Sequence, residues 1–291
     1  MTTEFKGTYT AIATPFDEKA ENIDFESLDS LFSFQFEAGV NGIVTCGSTA
    51  EAASLTDEEI KRLVKYSADK CRGKVPCIGG VVTNNTKRAC EMAAYMAEQK
   101  LDAVLLVTPP YIKPTQEGII EHFQAVKSAC NLPIIAYNIP GRSACLIQPE
   151  TIARMNERGL IAGIKDSTGS IEHLLEVVAL VGESLDILAG EDTLVYPVMT
   201  CGGKGVISAV ANVIPEGFVD VTSSALLGNW EEALAAQIKI QKTIKTMFIE
   251  TNPIPVKSAL KLKNIIKHDS MRLPLTKARA ETVEKIRALL G

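Results

Sequence analysis

Apolar and polar positions vary along this chain on two length scales. Short runs dense in Val and Ile recur at TYTAIATPF (8–16), GIVTC (42–46), VPCIGG (75–80), DAVLLVTPP (102–110), LPIIAYN (132–138), IAGIK (161–165), LDILAG (185–190) and KGVISA (204–209). Each is bounded by Gly, Pro or Asn, the pattern of strands buried on both faces. Longer amphipathic stretches lie between them. In SLTDEEIKRLVKYSADK (54–70), Thr56 is an N-cap with Glu59 three residues on, a capping box. TQEGIIEHFQAVKSAC repeats the idea from Thr115, with Gly118 in place of the carboxylate.

Eight such runs, each followed by a helical stretch, predict an α/β fold of the (β/α)8 TIM-barrel type. An open, doubly wound sheet is the competitor, but it would usually carry a GxGxxG loop after its first strand. Here that strand leads into ATPFDEKAEN, so the closed barrel is preferred. After Leu227 the pattern changes to helices only: GNWEEALAAQIKIQKTIKTMFIE (228–250), IPVKSALKLKNII and TKARAETVEKIRALL. The expected organisation is a catalytic barrel over 1–227 and a C-terminal helical domain over 228–291.

Composition narrows the function classes. A net charge of −5, with acidic and basic residues interspersed, offers no basic stripe for nucleic acid. No run of about 18 apolar residues is present, so no membrane-spanning helix is expected. The start, MTTEFKGTYT, does not read as a secretory leader. Seven scattered cysteines without a CxxC pair fit reduced thiols and a cytoplasmic location. The three histidines, His122, His173 and His268, stand far apart, so no metal site is expected.

In a barrel of this type the chemistry sits where the strands end. The strand ends carry CGSTAE (46–51), TPPYIKP with Tyr111, AYNIPGRSA with Tyr137 and Arg142, Lys165, AGED (189–192) and VISA (206–209). Lys165 is the unusual one, because an apolar strand running into a lysine normally lets the ammonium reach solvent. In an apolar pocket it becomes an imine-forming nucleophile if its pKa falls, and the tyrosine hydroxyls can shuttle protons. Ser48 and Thr49 could hold one carboxylate and Arg142 a second, as a bidentate fork. Taken singly, Tyr111 reads as packing, Arg142 as a surface ion-pair residue and GST as a turn. Their coincidence at one rim is what points to a site.

The motifs GSTAEAASLTDEE, TPPYIKPTQEG, YNIPGRS, GIKDSTG, AGED, GGKGVIS and NPIPVKSALK together resemble the dihydrodipicolinate synthase family. That family belongs to the pyruvate-dependent class I aldolases, which also include N-acetylneuraminate lyase. The resemblance covers nearly the whole chain from about residue 5. It implies condensation of pyruvate with aspartate 4-semialdehyde on the route to diaminopimelate and lysine, with no cofactor beyond a covalent imine on Lys165. It also implies a cytoplasmic homotetramer, a dimer of tight dimers. By the same resemblance Tyr137 relays protons through Ser48, a threonine in the best-known synthases. Tyr111 completes the relay from the neighbouring subunit, Thr49 holds the pyruvate carboxylate with Ser48, and Arg142 binds the semialdehyde. Ile207 offers a backbone carbonyl, and Gly190 counts among the substrate-binding residues. Ala50 and Ala144 stand where the family commonly has glycine, so strain is expected wherever the backbone needs positive φ. Arg142 favours the synthase over the alternative, a lyase or aldolase acting on sugar acids or sialic acid. A catalytically silent barrel would have lost Lys165 or Tyr137. In lysine-sensitive relatives the end product sits in an inter-subunit cleft. The matching positions here read Asn84, Arg88, Asp57, Ile60 and Pro110, with Arg88 in place of an acidic residue, so inhibition by lysine is expected to be weak.

Overall fold

In the computed structural model, which describes residues 4–290, eight parallel strands close on themselves in the order in which the chain lays them down. They are β1 (Gly7–Ala11), β2 (Gly42–Thr45), β3 (Cys77–Val81), β4 (Ala103–Val107), β5 (Ile134–Asn138), β6 (Gly163–Asp166), β7 (Asp186–Ala189) and β8 (Gly205–Ser208). The helices are α1 (Phe25–Glu37), α2 (Asp57–Cys71), α3 (Thr86–Glu98), α4 (Gln116–Ala129), α5 (Pro140–Ser143), α6 (Pro149–Glu157), α7 (Ile171–Val181), α8 (Val195–Thr200) and α9 (Pro215–Leu226). Three more follow: α10 (Trp230–Met247), α11 (Ile254–Leu262) and α12 (Ala280–Leu290).

Every strand residue is buried, as runs without polar alternation require. The apolar side chains fall into two cores. Tyr9, Val44, Ile78, Leu105, Ile135, Leu188 and Ile207 belong to the one filling the barrel interior. Their sequence neighbours, such as Ile43, Val104, Ile134 and Ile187, pack outward against the helices.

Both expected N-caps are present. Thr56 Oγ accepts from the Glu59 N–H at 3.2 Å while the Glu59 carboxylate accepts from the Thr56 N–H at 2.9 Å. Thr115 Oγ accepts from the Gly118 N–H at 3.2 Å. Three boundaries are tighter than the apolar pattern suggested. β1 stops at Ala11 because the Asn212 amide takes over the pairing, donating to Ala11 O at 2.7 Å and accepting from Ala13 N–H at 2.9 Å. α11 stops at Leu262 because Asn264 turns left-handed, with φ 58°. The N–H groups of Asn264 and Ile265 then bond back to Lys261 O and Leu260 O, closing a Schellman motif. α12 begins only at Ala280, where the preceding Arg279 N–H is taken by the Glu250 carboxylate at 3.1 Å.

Candidate functional site

Lys165 is the third residue of a four-residue strand. Ile164 packs outward, so the pleat turns Lys165 inward. The register places Val107, Tyr137, Lys165 and Leu188 side by side on β4 to β7, one inner layer at the carboxyl ends of the strands. Lys165 and Tyr137 are each only 6% exposed. The Lys165 ammonium stands 4.3 Å from the centroid of the Tyr137 ring, a cation–π contact in place of solvent.

These two line a cavity of about 90 Å³ with Ser48, Thr49, Arg142 and Gly190. Ser48 and Thr49 lie in a tight turn after β2, where the Ala50 and Glu51 N–H groups bond back to Gly47 O and Ser48 O. Gly190 lets the end of β7 close on the end of β6. Its N–H donates to Asp166 O at 2.6 Å, and a Cβ there would stand 2.9 Å from that same oxygen. Arg142 is exposed at the cavity mouth, where its guanidinium donates to Asn252 O at 3.2 Å. Two acids flank the lysine. Burial pushes the Asp192 carboxyl up to about 6, against hydrogen bonds from Ser208 and Val210 and the charge of Lys165. Glu191, which lines the cavity, is raised too, first by burial and then by Asp192.

The structure thus gathers Lys165, Tyr137, Ser48, Thr49, Arg142 and Gly190. It does not bring Tyr111 to this cavity: that side chain is 86% exposed on a left-handed turn, φ 75°, beside the exposed Ile112. Ile207 pairs with Tyr9 and packs in the barrel interior, while Ala209, two residues on, reaches the cavity wall. Of the two alanines, only Ala144 takes the strained conformation, with φ 56°. After β2 the positive φ values, 55° each, fall on Cys46 and Glu51 and leave Ala50 relaxed.

Sequence reasoning passed over Asn252. It lines the cavity and donates through Nδ2 to Thr49 Oγ at 3.0 Å. Five residues later, Lys257 Nζ meets the Glu51 carboxylate at 2.7 Å, with both side chains at most 1% exposed. Both residues lie within NPIPVKSALK, so the motif was visible although its function was not.

The chain is similar to known proteins over nearly its full length. A family model described as "Dihydrodipicolinate synthetase family" matches residues 4–291. The 4-hydroxy-tetrahydrodipicolinate synthase of Geobacter metallireducens is 41% identical over 286 residues, covering 98% of each chain. The crystal structure of the dihydrodipicolinate synthase of Thermotoga maritima superposes with a TM-score of 0.95 at 35% identity, covering 99% of this chain and 98% of that one. The chloride-inhibited dihydrodipicolinate synthase of Acinetobacter baumannii, complexed with pyruvate, gives 0.95 at 34% identity, over 98% and 97% of the two chains. This chain belongs to the dihydrodipicolinate synthetase family.

Proposed function

We propose that this member of the dihydrodipicolinate synthetase family condenses pyruvate with L-aspartate 4-semialdehyde, giving 4-hydroxy-tetrahydrodipicolinate for lysine and diaminopimelate synthesis. The observation that carries the reading is the buried Lys165 facing Tyr137 in a small cavity bordered by hydroxyls and a guanidinium. Nζ of Lys165 adds to the pyruvate carbonyl carbon, and loss of water from the carbinolamine leaves an imine. Its cationic nitrogen is the electron sink, so the reading calls for no external cofactor or metal. A proton then leaves the methyl carbon, the resulting enamine attacks the aldehyde carbon, and the amine of the condensed chain displaces Lys165 as the ring closes.

The residues divide the work by position. Tyr137, against the ammonium, moves protons to and from the carbinolamine with Ser48. Ser48 and Thr49 hold the pyruvate carboxylate. Arg142, at the mouth, takes the carboxylate of the second substrate. Gly190 brings β7 close, and Ile207 borders the substrate through its backbone. Tyr111 serves a neighbouring subunit within a homotetramer, a dimer of dimers. Its exposure beside Ile112 supports that reading, since an exposed aromatic next to an exposed isoleucine fits an interface. We place the enzyme in the cytoplasm, without nucleic-acid or membrane partners; no helix among the described residues is long and apolar enough to cross a bilayer.

The test is to incubate the protein with pyruvate, reduce with borohydride and map the adduct by mass spectrometry. The expected adduct is on Lys165. An adduct on another lysine, or none, overturns the mechanism. Steady-state assay with aspartate 4-semialdehyde against cleavage of 2-keto-3-deoxy sugar acids then separates the synthase from the sugar-acid alternative.

A further inference from the structure

We infer that Asn252, from the C-terminal helical segment, is the positioning residue of the pyruvate-carboxylate subsite, acting through Thr49. This rests on the Schiff-base reading of Lys165. Thr49 is 3% exposed and Asn252 7%, and both line the Lys165 cavity. The Asn252 Nδ2–H donates to Thr49 Oγ at 3.0 Å. A hydroxyl has one proton, and an oxygen already accepting from an amide is free to aim that proton elsewhere. Thr49 is thereby set as a donor toward the cavity, which is what a carboxylate needs. Without the amide the hydroxyl would rotate freely.

Two features hold the backbone that carries the amide. The same residue's backbone carbonyl accepts from Arg142 at 3.2 Å. A second rung joins the two segments: Glu51, two residues after Thr49, pairs with Lys257, five residues after Asn252, at 2.7 Å in full burial. Glu51 is held at a left-handed φ of 55°, a conformation that costs a non-glycine residue energy unless its surroundings impose it. The turn bearing Ser48 and Thr49 is therefore clamped at both ends of a short stretch by the C-terminal segment. The two contacts of Asn252 are also separable. Its side chain serves Thr49, and its backbone serves Arg142. A side-chain substitution should therefore disturb pyruvate and spare the semialdehyde.

The experiment uses the full-length protein with Asn252→Leu, Thr49→Val and the double variant. Pyruvate affinity is read from the concentration dependence of borohydride trapping, without the second substrate, and both KM values come from the coupled assay. Asn252→Leu should weaken pyruvate roughly 3- to 10-fold, the scale of one neutral hydrogen bond, with the semialdehyde KM within about twofold. Because the amide acts through the hydroxyl, the double variant should be no worse than Thr49→Val alone. Should Asn252→Leu fail to fold, as judged by circular dichroism and melting, Asn252→Asp replaces it. This isostere cannot donate to Thr49 and must draw the hydroxyl proton to itself, so pyruvate should again weaken selectively. Unchanged pyruvate affinity in the folded variant, equal losses for both substrates, or single effects that multiply in the double variant would overturn the inference. Absence of a Lys165 adduct in the wild-type protein would instead overturn the function on which it rests.

Discussion

Lys257→Met tests whether the buried ion pair holds the two segments together. The substitution is close in length and keeps the apolar stem, but it removes the only cation paired with Glu51 among the described residues. The stranded carboxylate keeps one donor, the Arg272 N–H at 3.2 Å. The Arg272 guanidinium cannot swing across, because it is bidentate to Glu59 at 2.6 and 2.7 Å and also donates to the carbonyls of Ala20, Glu21 and Ser54. Burial pushes the Lys257 pKa down, and the Glu51 carboxylate pulls it part of the way back. The charge on Lys257 thus depends on its partner. Removing one member of such a pair typically costs about 3–5 kcal/mol, and the lost cation–π contact with Phe16, at 4.2 Å, adds about 1 kcal/mol.

For a chain of this size each kcal/mol lowers Tm by about 2 °C or a little more, so the variant should melt roughly 8–12 °C below the parent. Melting is measured at one protein concentration, since association would otherwise shift it. Glu51→Gln combined with Lys257→Met should recover most of the loss, because the buried charge is gone with its partner. A single variant within about 1 kcal/mol of the parent would refute the reasoning. So would a double variant as unstable as the single.

Other outcomes follow from the same geometry. Arg142→Ala should raise the semialdehyde KM roughly 10- to 150-fold, the worth of a charge-assisted contact, while borohydride still traps pyruvate on Lys165; an unchanged KM would move the second carboxylate to another residue. The Asp192 carboxyl keeps its proton to about pH 6 when folded but releases it near 3.8 when unfolded. Its stabilising contribution is therefore complete below pH 3.8, is lost as pH rises through 6, and leaves a penalty above that with a ceiling of about 3 kcal/mol. Asp192→Asn should thus gain more in Tm over the parent at pH 8 than at pH 4, and an equal or reversed difference would remove Asp192 as the cause. Lysine should inhibit weakly: the Arg88 guanidinium stands where a lysine ammonium would need a counter-charge, and it pairs with Asp57, so that carboxylate is already occupied. Half-inhibition below about 1 mM in the coupled assay would show otherwise.

What was legible in the sequence follows from how far its signals reach along the chain. Buried strands announce themselves within a few residues, and so do capping boxes, which is why the eight strands and the Thr56 cap were readable. Lys165, Tyr137, Ser48, Thr49, Arg142 and Gly190 were readable because each lies at the carboxyl end of a strand or within a few residues beyond it, and a barrel brings strand ends together whatever the loops between them do. The end of β1 was not readable, since it depends on Asn212, about two hundred residues away. Nor was the placement of strain. The departure from glycine at Ala50 drew attention to that residue, but the left-handed turn lies one position later, where an ion pair rather than a small side chain enforces it.

The pattern break after Leu227 takes on a different meaning in the fold. Composition marks the place where strands give way to helices, and it is natural to take the helices as an appendage. Yet Thr49 is bonded across 203 positions and Glu51 across 206, both to that helical part, and Arg142 across 110. The barrel supplies the lysine and the tyrosine from its own register, with no help from outside. It does not by itself fix the groups that would hold the substrates' carboxylates. A barrel needs its strands only to close. Recognition of two small acids needs donors aimed to a fraction of an ångström, which a turn after β2 cannot keep unless something braces it. The chain meets that need with a segment that arrives last in sequence, since Phe248 and Asn252 line the cavity and its wall is complete only when the C-terminal segment has packed against the barrel.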